Sequence, residues 1–421
     1  MLTQRIRSRR ARAAGVLCAL LAAGLAAPAG ARAQVPVLPP ALSDGVVRIG
    51  VLNDQSGPLS GYSGPGSVIA ARMAVEDFGG TVLGAPVELV VADHRNLPDV
   101  AVNTAREWFD ARGVDMVSDL TSSTIALAVQ EIGRTRGKIV LHVGGGSDRL
   151  YGADCSPTGF LWVYDTYSFA RALGKALSGG PTGTWFYIAA DSAFAKSMEA
   201  QLNTVIAASG GKVLGAVRHP VGTPDFSSFL LQAQASGAKN IALLNTGDDT
   251  ANAIKQGGEF GLAQTGQSLV GTVIYLQTIH ALGLPVAQGL KFVTAFYWDR
   301  TEATRDFARR FAARSGGKMP SQVQAGMYSA TLAYLRAVAA AGTDEGKAVA
   351  AKIRALPVDD FFAEGARVRA DGRLMNDMFL AQVKTPAQST APWDYYTILT
   401  RLKAEEVVRP LEAGGCPFLA K

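Results

Sequence analysis

The 421-residue chain is poor in the side chains that do chemistry. It has three cysteines and four histidines, with charged residues at 18% and aromatics at 8%. Three cysteines exclude a disulfide-dense scaffold and any four-cysteine metal site. No Cys-x-x-Cys, His-Glu-x-x-His, Gly-x-Ser-x-Gly or Gly-x-x-x-x-Gly-Lys-Ser/Thr segment occurs, so the signatures of zinc peptidases, α/β-hydrolases and phosphate-loop NTPases are missing. His94, His142, His219 and His280 lie on different elements without ligand spacing, and neither a metal nor a catalytic centre is expected. Gly144-Gly145-Gly146 follows an apolar run, but Arg149 stands where a dinucleotide fingerprint needs its last glycine, so no cofactor is expected. Beyond the first thirty residues no apolar run approaches the ~20 residues that cross a bilayer.

What is present begins with a leader. Arg5, Arg7, Arg9, Arg10 and Arg12 precede an uncharged stretch from Ala13 to about Ala27, and Ala31-Arg32-Ala33 stands before Gln34. Basic, apolar and small-x-small in that order read as an export signal cleaved after about Ala33. Six of the 41 basic residues precede Gln34 and no acid does, so the remainder balances at 35 basic and 35 acidic. Nucleic acid is thereby excluded as an electrostatic partner. Cys155 and Cys416 survive cleavage, and in an oxidising compartment the pair is a disulfide candidate; two buried free thiols are the alternative.

From Val46 onward apolar β-rich runs alternate with Ala-rich helical stretches, first to about Val143 and again from Phe169 to Tyr275. Near-continuous apolar strands between helices predict parallel sheets covered on both faces. The fold expected is α/β, two doubly wound lobes with a cleft between them. Helices at 302–314, 322–341 and 347–355 and late strands at 378–384 and 396–402 must return to those sheets, which implies several crossings and a hinge. The expected division is a signal over 1–33 and a flexible lead-in over 34–45, then 46–165 with 276–365 as lobe one. Lobe two takes 166–275 with 366–405, and 406–421 form a C-terminal tail.

Open α/β sheets bind ligands beyond the carboxyl ends of their strands. Three such loops carry suitable chemistry. Thr121-Ser122-Ser123-Thr124 offers hydroxyls and free N–H groups at a helix N-terminus, suited to a carboxylate; N-capping accounts for one of the four hydroxyls. Gly144-Gly145-Gly146-Ser147 lets a backbone approach a ligand closely, or simply makes a tight turn. Asn245-Thr246-Gly247-Asp248-Asp249-Thr250 joins a later strand to a helix and places carboxylates at its N-terminus, where dipole complementarity accounts for one of the two acids.

Order and spacing over more than 300 residues resemble the branched-chain amino-acid-binding (Leu/Ile/Val-binding-like) family of periplasmic substrate-binding proteins of ABC importers. The resemblance rests on "VRIGVLNDQSGPLSGYSGPG" (Val47 to Gly66), the Ser/Thr cluster, "DFSSFLLQAQASGAKNIALL" (Asp225 to Leu244), "AGMYSATLAYLRAV" (Ala325 to Val338) and "ADGR" (Ala370 to Arg373). It implies the type I periplasmic-binding fold with a multi-crossing hinge, a soluble periplasmic chain and no enzymatic activity. The implied partners are a small carboxylate ligand, held by hinge closure, and ABC permease subunits in the inner membrane. Carried over by position, the carboxylate site falls on Ser122, Ser123, Gly145, Gly146 and Ser147, and the amino-group acceptor on Asp249. Gly146 replaces a usual threonine, and Phe194-Ala195 replaces a usual Tyr-Gly. With hydroxyls lost, the aromatics Tyr62, Tyr164, Tyr167, Phe194, Tyr275 and Phe296-Tyr297-Trp298 are expected near the cleft, suiting a branched-chain or apolar amino acid or an aromatic acid. An exported sensor of the same fold, or an exported hydrolase, are the rival expectations.

Overall fold

The computed structural model describes residues 42–176 and 182–419. The expected export signal, its cleavage point and most of the lead-in lie outside the described residues.

Buried apolar runs become two parallel sheets. The first holds β1 (Val47–Asn53), β2 (Thr81–Val82), β3 (Ala85–Asp93), β4 (Met116–Asp119), β5 (Ile139–His142) and β6 (Gly159–Leu161) in the order β2-β3-β1-β4-β5-β6. All its pairs are parallel except β2 on β3. In register, Val51 lies between Val91 and Ser118. Lobe two is built on β7 (Thr184–Ala190), β8 (Lys212–His219), β9 (Asn240–Leu244) and β10 (Ser268–Gly271), parallel throughout in the order β10-β9-β7-β8.

Helices cover both sheets with apolar stripes at helical spacing. In Pro98–Asp110 the buried residues are Ala101, Ala105, Trp108 and Phe109, one face of a 3.6-residue repeat. A Cβ at Gly50 in β1 would stand 2.5 Å from the Trp108 ring, so this strand meets its helix only because glycine is there. Gln322–Ala341 packs along Gly64–Phe78 and over β4. Most of its twenty residues are buried, which matches its apolar character on all sides.

β11 (Lys291–Thr294), β12 (Met378–Val383) and β13 (Tyr396–Leu402) form a third, antiparallel sheet. β11 also packs on the helix Thr166–Ala176, and Leu276–Leu282 packs on Asp248–Glu259. Residues 276–294 therefore pack on elements of 166–275, whereas the expected return to the first sheet joins them to 46–165. β11 was missed because four residues opening on a lysine carry too little periodicity.

The chain leaves the first sheet after β6, returns after β11 and leaves again between Leu374 and β12. At this hinge Arg373 and Asp165, both fully buried, pair at 2.9 Å. Arg373 also donates to Asn376 Oδ1 at 3.0 Å, and Asn376 donates to the Val163 carbonyl at 3.0 Å. Tyr151 and Ser168 complete the shell of Asp165. A buried charge pair needs such surroundings to offset its desolvation. Cys155 and Cys416 are joined in a disulfide, which ties the tail to the loop before β6. No helix among the described residues is long and apolar enough to cross a membrane.

Candidate functional site

Both parallel sheets reverse their strand order at one point, between β1 and β4 in lobe one and between β7 and β9 in lobe two. Such switch points open a crevice beyond the carboxyl ends of the strands. Here the two crevices face each other. The loops after β1, β3, β4, β5, β7, β8, β9 and β10 all contribute to one cleft. The centre of a water molecule can reach about 40 Å³ of it, so the two walls lie close together.

The lobe-one wall is preorganised from behind. β4 ends in Asp119 and Leu120 follows it, both at positive φ (78° and 54°), a conformation that costs free energy outside glycine. Asp119 is held there by Asn53 Nδ2 at 2.8 Å and Ser63 Oγ at 2.7 Å, and burial raises its pKa. The turn delivers Thr121, Ser122 and Ser123 to the cleft. Ser123 Oγ accepts from the N–H groups of Gly146 and Ser147, each at 3.0 Å. Both lone pairs are thus engaged, and the single hydroxyl proton remains to donate into the cleft. The Ser122 side chain makes no cap bond to its own helix. Beside it the helix Ser123–Arg136 begins, whose first N–H groups have no partner within the helix. A carboxylate placed here would meet hydroxyl donors and the positive end of a helix dipole.

The lobe-two wall carries an acid. Asp249 opens the helix Asp248–Glu259, is 2% exposed, and accepts from Gly222 N–H at 3.1 Å on both oxygens. Burial pushes its pKa up to about 6. His219 lies behind it, Nδ1 4.0 Å from Asp249 Oδ2. That Nδ1 contacts the Pro220 carbonyl at 2.8 Å, and Nε2 contacts Asn245 Nδ2 at 3.2 Å. A carbonyl can only accept, so the proton is on Nδ1 and Nε2 is the acceptor. Thr250 fixes the Asn245 amide by donating to its oxygen at 2.8 Å. Burial lowers the His219 pKa, consistent with a neutral ring. No lysine or arginine is among the residues lining the cleft.

Three tyrosines close the inner end. Tyr62 stacks on Tyr275 with ring centroids 3.9 Å apart and planes within 9°. The Tyr164 hydroxyl lies 2.9 Å from the Gly144 carbonyl and 2.6 Å from the Tyr275 hydroxyl. Tyr164 has one proton and the carbonyl needs it, so Tyr275 donates to Tyr164 and keeps only lone pairs for a ligand. Direct contacts also join the lobes at the rim, from Ala193 N to Thr124 Oγ1 at 3.2 Å and from Asp248 N to the Pro58 carbonyl at 3.5 Å.

A family model described as periplasmic binding protein matches residues 46–390. The chain belongs to the periplasmic binding protein family. A Burkholderia mallei periplasmic binding protein is 40% identical with a TM-score of 0.87, over 89% of this chain and 100% of that one. A Burkholderia xenovorans branched-chain amino acid ABC transporter periplasmic ligand-binding protein is 38% identical, with a TM-score of 0.77 over 88% and 99%. A solute-binding protein of R. palustris, solved in complex with benzoate, shares the fold at 20% identity, with a TM-score of 0.77 over 89% and 100%. No curated protein matches the chain.

In this periplasmic binding protein Ser122, Ser123, Asp249, Tyr62, Tyr164, Phe194 and Tyr275 line one cleft. The remaining expected residues stand elsewhere. A Cβ at Gly145 would meet Ala126 and the Leu120 carbonyl, and one at Gly146 would meet the Tyr164 ring, so these glycines serve packing of the wall. Ser147 caps the short helix Asp148–Tyr151. Tyr167 is not among the lining residues. Tyr297 is buried against Tyr396, centroids 4.7 Å apart, and receives the Tyr396 N–H at 3.3 Å; it belongs to the core of the third sheet. An aromatic near a strand end reads alike in sequence whether it packs inward or faces a cleft. Asn245 and Thr246 of the expected third loop also line the site, as do Asn96, Ser192 and Val221, which were missed although each follows a strand at the sheet end where ligands bind.

Proposed function

We propose that this periplasmic binding protein captures a small carboxylate in the cleft, closes over it about the hinge and delivers it to permease subunits in the inner membrane. The carrying observation is the Ser123 hydroxyl, with both lone pairs used by Gly146 and Ser147 and its proton left to donate beside a helix N-terminus that favours an anion. Closure stabilises whichever ligand has differential affinity for the joined lobes. Binding without catalysis is supported by His219. Its ring has no free lone pair for a base, because Nε2 already accepts from Asn245.

For the ligand body, Leu59, Phe194, Val221 and the tyrosines provide apolar and aromatic walls. Asp249 already receives Gly222 and disfavours its own charge, which favours an aromatic acid without an ammonium group. Tyr275, left as an acceptor, suits a hydroxyl at the far end. An apolar or branched-chain amino acid is the second reading, favoured by a carboxyl group standing in the wall where an ammonium would reach it. Denaturing the protein as purified from its native host and identifying the released molecule by mass spectrometry tests both. An aromatic acid supports the first reading, an amino acid supports the second, and a ligand lacking any carboxylate contradicts them.

A further inference from the structure

Outside the ligand cleft, one buried carboxylate joins both lobes and the tail. Asp148 follows β5 in lobe one and is 4% exposed. Its Oδ1 accepts from Thr166 Oγ1 at 3.1 Å and from Ser197 Oγ. Its Oδ2 accepts from Gln201 Nε2 at 2.9 Å and Arg409 Nη1 at 2.7 Å. Ser197 and Gln201 are four residues apart on the lobe-two helix Ala193–Ala208, hence on one face of it. The same helix starts at Ala193, whose N–H reaches Thr124 of lobe one.

A charge buried this far needs a counter-charge and a full set of donors. Arg409 supplies the counter-charge, and is itself placed by the Asp148 carbonyl at 3.0 Å and the Tyr151 ring at 4.6 Å. The tail that carries it is fastened by Cys155–Cys416 and by Lys175 to Glu406 at 2.7 Å. Thr166 stands at the crossing between the lobes and contacts Ser197 Oγ at 2.6 Å, whereas Ser197 and Gln201 come from the body of the other lobe. Rotating lobe two away would remove Ser197 and Gln201 and leave those positions to water.

We propose that Asp148 is a closure latch, a positioning residue that sets the ratio of closed to open protein from outside the cleft, with Arg409 of the fastened tail as its holder. The latch rests on the hinge reading of the cleft and is independent of the ligand's identity.

The test uses the full chain with Thr124→Cys and Ala193→Cys as a reporter pair, whose rate of oxidative cross-linking follows the closed population without ligand. Adding Ser197→Ala/Gln201→Ala removes two bonds to a charged group and is expected to slow cross-linking on the order of tenfold. These variants leave the Asp148–Arg409 pair intact, so folding is retained. Ser197→Thr, which keeps the hydroxyl, is expected to cross-link at the parental rate. An unchanged rate in the double variant, or an equal loss in Ser197→Thr, overturns the latch. Benzoate and L-leucine, added separately, test the ligand reading. If neither speeds cross-linking while the ligand-free rates differ as expected, the ligand class is wrong and the latch stands.

Discussion

Ser123→Ala separates the two duties that the geometry gives this hydroxyl. As an acceptor it holds Gly146 and Ser147 N–H at 3.0 Å each, in a site where Ser123 is 3% exposed. Each buried N–H left without a partner costs ~1–3 kcal/mol. Water entering from the cleft can satisfy one of them, so a local loss of about 2 kcal/mol is expected. That corresponds to amide exchange about 30-fold faster at Gly146 and Ser147 if both exchange through local opening. As a donor to a ligand carboxylate the same hydroxyl contributes ~1–3 kcal/mol, a loss of roughly 5- to 150-fold in affinity. Hydrogen exchange resolved at these two amides reads the first effect, and calorimetric titration with benzoate or L-leucine reads the second. Unchanged exchange at both amides would refute the acceptor role. Unchanged affinity for a ligand that binds the parent would refute the donor role.

Asp249 makes a pH-dependent prediction. Its folded pKa of about 6 exceeds the ordinary 3.8, so folding favours the protonated acid. That contribution is complete below about pH 3.8, declines as pH rises through about 6, and is absent above it, an upper bound of roughly 3 kcal/mol. Asp249→Asn should flatten this part of the stability curve in chemical denaturation between pH 4 and 7; an unaltered slope there contradicts the assignment. The same variant should abolish binding of an amino acid and spare an aromatic acid, as titration of each would show. Reducing Cys155–Cys416, which closes a separation of 261 residues, should lower unfolding stability by roughly 2–5 kcal/mol, measured with and without reductant. Arg373→Met leaves Asp165 buried beside Tyr151 and Ser168 without its counter-charge. A cost of about 3–5 kcal/mol is expected, and a midpoint indistinguishable from the parent in urea would contradict the hinge description.

The α/β alternation and both parallel sheets were legible because strands buried on two faces are apolar almost throughout, as β5 and β9 are. Ser122, Ser123 and Asp249 were legible for a related reason: polar residues between a strand and a helix fall at the sheet end where ligands bind. Pairings distant in sequence left no local trace. Asp165 and Arg373 are 208 residues apart and Asp148 and Arg409 are 261 apart, and each member alone reads as an ordinary surface charge. The Tyr62–Tyr275 stack was half legible, since each ring follows a strand but nothing local says that the two lobes bring them face to face. Tyr297 shows the converse, an aromatic of the same local appearance absorbed by the third sheet.

The central claim is that one small carboxylate is held between two lobes that close on it. Small-angle scattering during titration with an aromatic acid and with an apolar amino acid tests it most directly, with affinity measured on the same samples. The account predicts that one of these ligands saturates the protein at one site and that the radius of gyration falls in step with occupancy. Saturable binding with an unchanged radius, or saturation by neither class of carboxylate, would contradict it.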